Sequence, residues 1–161
     1  MPKVIMICGK LCSGKTTYAN SLQKEGNAVI LSVDEIMLAV FGQDAGEKHD
    51  EYVAGIKRYL YQKTLEIIHN GSDVILDWGF WSKEERSYAR SFFGLNGITN
   101  ELHFLDIDDR EWRRRIEKRN QEVLAHNSNA YYVDDGLAAK FNSIFEKPDP
   151  SEIDYRKRIG I

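Results

Sequence analysis

The chain has 161 residues, of which 42% are hydrophobic and 29% are charged, and it carries a formal net charge of −3 at neutral pH. This length and composition are typical of a single soluble globular domain, and the small negative charge excludes a general attraction to nucleic acid. Only two cysteines occur, Cys8 and Cys12, which is too few for a disulfide framework and favours a reducing, cytoplasmic environment.

Strand-like and helix-like segments alternate along the chain. The predicted strands are the apolar runs Lys3–Cys8, Ala28–Val33, Asp73–Asp77 and Leu102–Ile107. The predicted helices are Lys15–Lys24, Asp34–Phe41, Glu47–Asn70, Lys83–Phe93, Asp108–Ala125 and Asp134–Phe145. This alternation favours a three-layer α/β/α fold with a parallel sheet, whereas four β-rich runs fit an all-helical domain poorly.

The sequence contains no internal repeat, no low-complexity tract and no linker, so residues 1–161 are expected to form one domain. The apolar run Lys3–Cys8 is too short for a signal peptide or a membrane span. We therefore expect no membrane association and a cytoplasmic location.

The segment after the first strand matches a phosphate-binding loop. Its sequence, G-K-L-C-S-G-K-T, fits the pattern G-x-x-x-x-G-K-[ST] at every fixed position. Glycines let the backbone curl around a phosphate chain, and the helix that follows points its free N–H groups at the same oxygens. Lys15 adds a charge for the terminal phosphates, and the Thr16 hydroxyl can ligate Mg²⁺. The predicted nucleotide-binding residues are Gly9, Lys10, Leu11, Cys12, Ser13, Gly14, Lys15, Thr16 and Thr17.

An acidic residue follows the second predicted strand. Asp34 comes directly after Ala28–Val33, and ligands of parallel α/β sheets bind beyond the carboxyl ends of the strands. A carboxylate there can accept the proton of a hydroxyl group that attacks the γ-phosphate. Aspartate is also a favourable helix N-cap, and the two roles are compatible. We therefore predict that Asp34 is the general base.

The third predicted strand ends on an aspartate as well. Asp77 is expected beside the phosphate loop, where it can hold Mg²⁺ or contact the acceptor, although a turn aspartate before Gly79 is the alternative interpretation. Arg86, in the next helix, is expected to be a solvent-exposed charge. The aromatic residues after the strand fit either an acceptor pocket or the core: Trp78, Phe80 and Trp81.

A densely basic segment lies in the fifth predicted helix. Arg115 and Arg119 are four residues apart and therefore share one helix face. If the chain after Arg119 is a mobile lid, these arginines can reach the triphosphate and stabilise the charge that develops during transfer. We predict both as catalytic residues, with a lid over residues 119–134. A solvated basic face is the alternative, and it is the interpretation for Arg110, Arg113 and Arg114.

Other classes of phosphate-loop protein lack their characteristic motifs in this sequence. No N-K-x-D or D-x-x-G string occurs, so the base-reading and switch elements of a GTPase are missing. No LSGGQ-like signature indicates a transporter ATPase. A compact kinase-like fold remains, with an acceptor cap expected over residues 39–70.

Together these motifs resemble the small P-loop kinases grouped with polynucleotide kinase, zeta toxin and chloramphenicol phosphotransferase, often labelled AAA-domain ATP-binding proteins. The resemblance extends from Lys3 to about Pro148. It rests on G-K-L-C-S-G-K-T-T, S-V-D-E-I, L-D-W-G-F-W and R-I-E-K-R-N, which resemble the phosphate loop, two strand-end motifs and the R-x-x-x-R lid motif. It implies that Asp34 is the general base, that Asp77 lies near the metal and the acceptor, and that Arg115 and Arg119 cover the nucleotide.

The expected activity is Mg²⁺-dependent transfer of the γ-phosphate of ATP to a hydroxyl acceptor. A small-molecule acceptor is favoured over nucleic acid because the chain is slightly acidic. The alternatives are a polynucleotide 5′-hydroxyl kinase and a nucleotide-binding NTPase regulator that transfers no phosphate. The family commonly has a fifth strand and an adenine-contacting loop near the carboxyl terminus, but Lys147–Ile161 is short, polar and weakly patterned, and it predicts neither.

Overall fold

The computed structural model describes residues 1–127 and 130–160. The strands are β1 (Lys3–Gly9), β2 (Ala28–Ser32), β3 (Asp73–Gly79), β4 (Thr99–Ile107) and β5 (Tyr155–Ile159). They form one parallel sheet in the order β2-β3-β1-β4-β5. The helices are α1 (Lys15–Glu25), α2 (Val33–Phe41), α3 (His49–His69), α4 (Lys83–Leu95), α5 (Asp109–Leu124) and α6 (Asp135–Ile144), and a 3₁₀ turn spans Pro150–Glu152. Within the described residues, no helix is both long and apolar enough to cross a membrane.

The predicted α/β/α architecture is confirmed. All four predicted strands and all six predicted helices form, and their bounds move by at most three residues. Val4 and Met6 of β1 point into a large core that α2, α3 and α4 complete. Ile5 and Ile7 point to the opposite face, where Ala19 of α1 covers them. Because both faces of the sheet are buried, the central strands appear in the sequence as continuous apolar runs.

The carboxyl ends of the strands lie along one edge of the sheet because all five strands are parallel. β1 ends at Gly9, and on the neighbouring β3 Asp77 is paired with Ile7. The register then shifts, so that Cys8 pairs with Gly79 and Trp78 has no partner in β1. Irregularities of this kind redirect side chains at the ends of strands. The side chains that the sequence places at strand ends therefore meet at this edge.

The structure rules out the alternative role of Asp34 as the N-cap of α2. The Ser32 hydroxyl accepts a hydrogen bond from the Glu35 N–H at 3.2 Å, so Ser32 caps the helix. Asp34 lies instead in the first turn of α2, where its carboxylate interacts favourably with the helix dipole. Its side chain is exposed to solvent.

The sequence analysis missed β5, which Lys147–Ile161 supplies. The strand has the sequence Y-R-K-R-I, and four of its five residues are exposed, so it shows neither an apolar run nor a clear alternation. It extends the sheet beside β4 and leads into Gly160, whose φ is +80°. A Cβ on Gly160 would lie only 2.5 Å from Asp108 Oδ2, at the start of α5. Gly160 therefore packs directly against the N-cap of α5.

Arg86 is buried, which corrects the expectation of a solvent-exposed charge. Its side chain is 2% exposed. Its Nε donates to Glu152 Oε1 at 2.9 Å, and its Nη1 donates to Phe80 O at 2.9 Å. Glu152 is 66 residues later in the chain. The ion pair therefore ties α4 to the turn that precedes β5.

Replacing Arg86 with methionine is expected to lower the free energy of unfolding by about 3 kcal/mol, because breaking a buried ion pair leaves an uncompensated charge on Glu152. Urea unfolding followed by circular dichroism measures this loss. The matched control is Lys83→Met, since the ion pair between Lys83 and Asp149 is 63% exposed on both sides and contributes below about 1 kcal/mol. Equal losses in the two variants would contradict the structural role of Arg86.

Candidate active site

The phosphate loop, Gly9–Thr16, curls tightly between β1 and α1. A Cβ on Gly9 would lie 2.6 Å from Ser13 Oγ, so a larger residue would collide with the loop itself. Gly14 has a φ of +94°, in the left-handed region that favours glycine. The Ser13 N–H donates to Lys10 O at 3.1 Å and closes the turn. The backbone geometry therefore requires both glycines of the motif.

The outer side of the loop is fixed by α5 and α6. Trp112 Nε1 donates to Leu11 O at 2.6 Å, and the Leu11 side chain is buried against Trp112. The Lys10 ammonium lies 4.7 Å from the centre of the Trp112 ring and donates to Asn142 Oδ1 at 2.9 Å. The side chains of Lys10 and Leu11 and the carbonyl group of Leu11 are thus engaged with these two helices, which fix the shape of the loop from outside.

Lys15 begins α1, and its ammonium folds back over the loop. Its Nζ donates to Lys10 O at 2.8 Å and to Gly9 O at 3.3 Å. Burial lowers the pKa of Lys15, while the carboxylates of Asp77 and Asp34 act in the opposite direction. The cation is therefore held at the loop by carbonyl groups that a bound phosphate can replace.

Ser13 presents a second unusual polar group inside the loop. The residue is fully buried, and its hydroxyl has no hydrogen-bond partner in the part of the chain that the structure describes. A buried hydroxyl without a partner costs free energy, so such groups are expected to meet a ligand or water. Its place inside the loop makes it a ready partner for a phosphate oxygen.

The Thr16 hydroxyl and the Asp77 carboxylate lie in contact with each other beside the loop. The Thr16 hydroxyl donates to Asp77 Oδ2 at 2.9 Å. Burial raises the pKa of Asp77, and the Lys15 charge and the Thr16 hydrogen bond oppose this rise. Mg²⁺ is commonly bound by one or two protein oxygens together with substrate phosphates and water. This donor set fits magnesium, whereas residues 1–127 and 130–160 contain no cluster of three or more His, Cys, Asp or Glu side chains that could hold a metal alone.

Asp34 completes this group from the first turn of α2. It is close enough to Lys15 and Asp77 to influence the pKa of both. Its carboxylate is exposed, so a molecule arriving from solvent can reach it. Three predicted residues, at or beyond the carboxyl ends of three different strands, are thus gathered at one edge of the sheet.

Both predicted arginines of α5 face the phosphate loop. A Cβ on Gly14 would lie 3.1 Å from Arg115 Nη1, which places this guanidinium directly over the loop. Arg119 Nη1 donates to Cys12 Sγ at 3.1 Å. Arg115 is also oriented by Glu111, whose Oε1 accepts from its Nε at 2.9 Å. The neighbouring arginines are exposed, as expected for a solvated face: Arg110, Arg113 and Arg114.

The aromatic residues at the end of β3 and just beyond it lie in different surroundings. Trp78 and Phe80 are stacked in the core with ring centres 5.3 Å apart. Trp81 instead contacts the loop, because its Nε1 donates to Gly9 O at 3.2 Å and its ring meets Phe141 of α6 at 4.5 Å. No pattern in the sequence distinguishes Trp81 from its neighbours, since the contact depends on where α6 packs.

The remaining predictions concern Thr17, the lid and the acceptor cap. Thr17 is exposed on the first turn of α1. The predicted lid, 119–134, contains the end of α5 and the residues before α6, and its positions 128 and 129 lie outside the described residues. The predicted cap, 39–70, contains the end of α2 and all of α3.

The sequence matches the family model described as AAA domain over residues 4–147, which is most of the chain. No curated protein matches the sequence at a significant level.

Several solved structures share the fold. An unliganded sugar kinase from Janibacter sp. is 17% identical with a TM-score of 0.67, covering 99% of this chain and 85% of that one. The APS kinase of Mycobacterium tuberculosis in complex with AMPPNP and APS is 18% identical with a TM-score of 0.63, covering 99% and 90%. A chain of the Pnkp1/Rnl/Hen1 RNA repair complex is 19% identical with a TM-score of 0.70, covering 88% of this chain and 43% of that one. Likeness at these identities establishes a P-loop kinase-like fold.

Proposed function

The chain belongs to the AAA domain family, and from this premise we propose that it is a Mg²⁺-dependent kinase that transfers the γ-phosphate of ATP to a hydroxyl group of a small molecule. One observation carries the proposal. Lys15, the Thr16–Asp77 pair and Asp34 lie together at the end of a phosphate loop, which provides a cation for phosphates, oxygen ligands for a metal and a carboxylate for a hydroxyl proton.

Each residue has a defined part in this reaction. The loop N–H groups and Lys15 bind the β- and γ-phosphates. Thr16 and Asp77 hold Mg²⁺, which neutralises phosphate charge when it is bound. Asp34 accepts the proton of the acceptor hydroxyl as its oxygen bonds to the γ-phosphorus. The bond from that phosphorus to the bridging oxygen breaks, and ADP carries away the electron pair.

The chemical class of the acceptor is the more specific part of the proposal. The APS kinase and the sugar kinase that share this fold act on small molecules, as their names state. The net charge of −3 is also unfavourable for a polyanionic acceptor. A polynucleotide 5′-hydroxyl kinase and an NTPase that transfers no phosphate are the outcomes that an experiment has to separate from a small-molecule kinase.

Incubation with Mg²⁺ and γ-labelled ATP separates these functions. The acceptor panel comprises sugars, nucleosides, aminoglycosides, simple alcohols and a 12-nucleotide DNA with a 5′-hydroxyl. We expect label in one class of small molecule. Label that appears only in the oligonucleotide would establish a polynucleotide kinase, and label that appears only in inorganic phosphate across the panel would establish an NTPase.

Replacing Arg119 with alanine is expected to lower kcat by about 10²-fold with little change in the KM for ATP, because the arginine stabilises charge that develops only in the transition state. Arg115→Ala is expected to act in the same direction. Steady-state kinetics measure both constants. Arg113→Ala is the matched control, since Arg113 is exposed on the same helix. An equal loss of kcat in all three variants would indicate that only the overall positive charge of the helix matters.

A further inference from the structure

An open groove of 370 Å³ lies between α2 and α3. Its apolar lining consists of Ile36, Val40, Phe41, Tyr52 and Ile56. The rings of Phe41 and Tyr52 stack with their centres 4.5 Å apart, whereas Val40 is 65% exposed. The groove therefore leaves apolar surface in contact with solvent, as interaction sites commonly do.

The groove is on a different side of α2 from the candidate base. Successive residues of a helix are rotated by about 100°, so Ile36 is about 200° around α2 from Asp34. A molecule bound in the groove would therefore contact the outer surface of α2 and α3 rather than the end of the phosphate loop.

A glycine lies beside this groove, well inside α3. Gly55 is the seventh of the 21 residues of the helix, where glycine is an unfavourable residue. A Cβ on Gly55 would meet only Arg58 Nη2, at an ordinary contact distance of 3.7 Å. The adjacent Ala54 is also small, and it is exposed. Since the described part of the chain does not require a glycine here, its natural explanation is the close approach of another molecule.

Two opposite charges flank Gly55. Glu51 and Arg58 are seven residues apart and both line the groove. Seven residues make nearly two helical turns, so the two side chains share one face of α3 and are about 10 Å apart along its axis. Both residues are exposed, and neither side chain has an ion pair or a hydrogen bond within residues 1–127 and 130–160.

We propose that this surface is the interface of a homodimer, in which α3 packs antiparallel against α3 of a second copy of the chain across a two-fold axis near Gly55. In this arrangement Glu51 of each copy lies beside Arg58 of the other, so two identical ion pairs form on opposite sides of the axis. A two-fold interface must be complementary to itself, and the charges of α3 meet this requirement. The two glycines at the axis let the helices approach closely.

Tyr59 adds an apolar contact to this interface. It is 61% exposed and shares the face of α3 that carries Tyr52 and Ile56. In the antiparallel pair, Tyr59 lies opposite Glu51 and Tyr52 of the second copy, at one end of that copy's groove. Tyrosine is common among the residues that dominate the free energy of interfaces. A second copy therefore accounts for the groove, the unpaired charges and the glycine together, whereas a small ligand in the groove would account only for its apolar lining.

Sedimentation equilibrium tests the charge pairs. The wild-type protein is expected to approach twice the mass of one chain as its concentration rises to about 100 µM. Glu51→Arg and Arg58→Glu each place like charges together twice in the dimer, so each is expected to raise the Kd for dimerisation at least tenfold, or about 1.4 kcal/mol. A mixture of these two variants restores opposite charges at both pairs and should dimerise like the wild type. Glu122→Arg is the control, because it reverses an exposed charge on α5.

Replacing Gly55 with glutamine tests the close approach of the helices. The added side chain is expected to abolish the dimer, while the better helix former raises the thermal midpoint of the monomer by about 2–4 °C. Loss of the dimer could then not be attributed to misfolding. Gly94→Gln is the matched control, since Gly94 is an exposed helical glycine of α4 with nothing within 4 Å of an added Cβ, and it should leave the dimer intact.

Three results would overturn the inference. They are a wild-type protein that stays monomeric up to about 100 µM, a mixture of Glu51→Arg and Arg58→Glu that dimerises no better than either variant alone, and a Gly55→Gln protein that dimerises like the wild type. None of these measurements depends on ATP or an acceptor, so the dimer is tested separately from the proposed function.

Discussion

Replacing Lys15 with alanine is expected to reduce ATP turnover by at least about 10³-fold and to abolish stabilisation of the protein by Mg-ATP. The Lys15 ammonium lies over the loop on Lys10 O and Gly9 O, where it can exchange these partners for phosphate oxygens. Its loss also removes the charge that opposes the raised pKa of Asp77. The substitution is therefore expected to weaken the binding of both the phosphates and the metal.

Two measurements check this result. Coupled ATPase or kinase assays give turnover, and the thermal midpoint with and without Mg-ATP reports binding, because a ligand that binds only the folded state raises that midpoint. Lys24→Ala is the matched control, since Lys24 is an exposed lysine in the last turn of the same helix. If Lys15→Ala kept the wild-type affinity and turnover, the loop would not be a nucleotide site.

Replacing Asp34 with asparagine is expected to leave ATP binding within a few-fold of wild type and to lower phosphate transfer by about 10³-fold, within the range for loss of a general base. The amide keeps the size and hydrogen-bonding capacity of the side chain but cannot accept the acceptor's proton. Because Ser32 rather than Asp34 caps α2, the substitution should not disturb the start of the helix.

Glu35→Gln is the control for Asp34, because it removes an adjacent carboxylate that is also exposed in the first turn of α2. Single-turnover transfer and equilibrium nucleotide binding are measured on the same preparations. Retained transfer in Asp34→Asn would remove this residue as the base. Equal losses in both variants would indicate that only the local negative charge matters.

The elements of the fold were predictable wherever burial imposes a simple pattern. Strands covered on both faces show continuous apolar runs, and helices between them show caps and polar stretches that mark their ends. β5 lacks this signal because it is an edge strand whose residues Arg156, Lys157 and Arg158 are exposed. Charged side chains are common on edge strands, where they discourage pairing with other molecules.

The candidate site was predictable in its positions but not in its contacts. The glycine pattern locates the loop, and the ends of parallel strands place Asp34 and Asp77 on the same edge without any knowledge of packing. The contacts of Arg86 with Glu152 and of Gln43 with Ala130 join residues 66 and 87 positions apart. No local pattern reports such pairs, because each depends on where a distant segment packs.

Gly160 connects β5 to the residues that position Arg115 in the candidate site. Any side chain there would press on Asp108, whose Oδ1 accepts the Glu111 N–H at 2.9 Å, and Glu111 in turn orients Arg115. A shift of Asp108 would displace the first turn of α5. Through Glu111 it would also move the Arg115 guanidinium, which lies over Gly14. In a mutational scan for activity, position 160 should consequently group with the arginines of α5 rather than with the exposed residues of β5 that precede it.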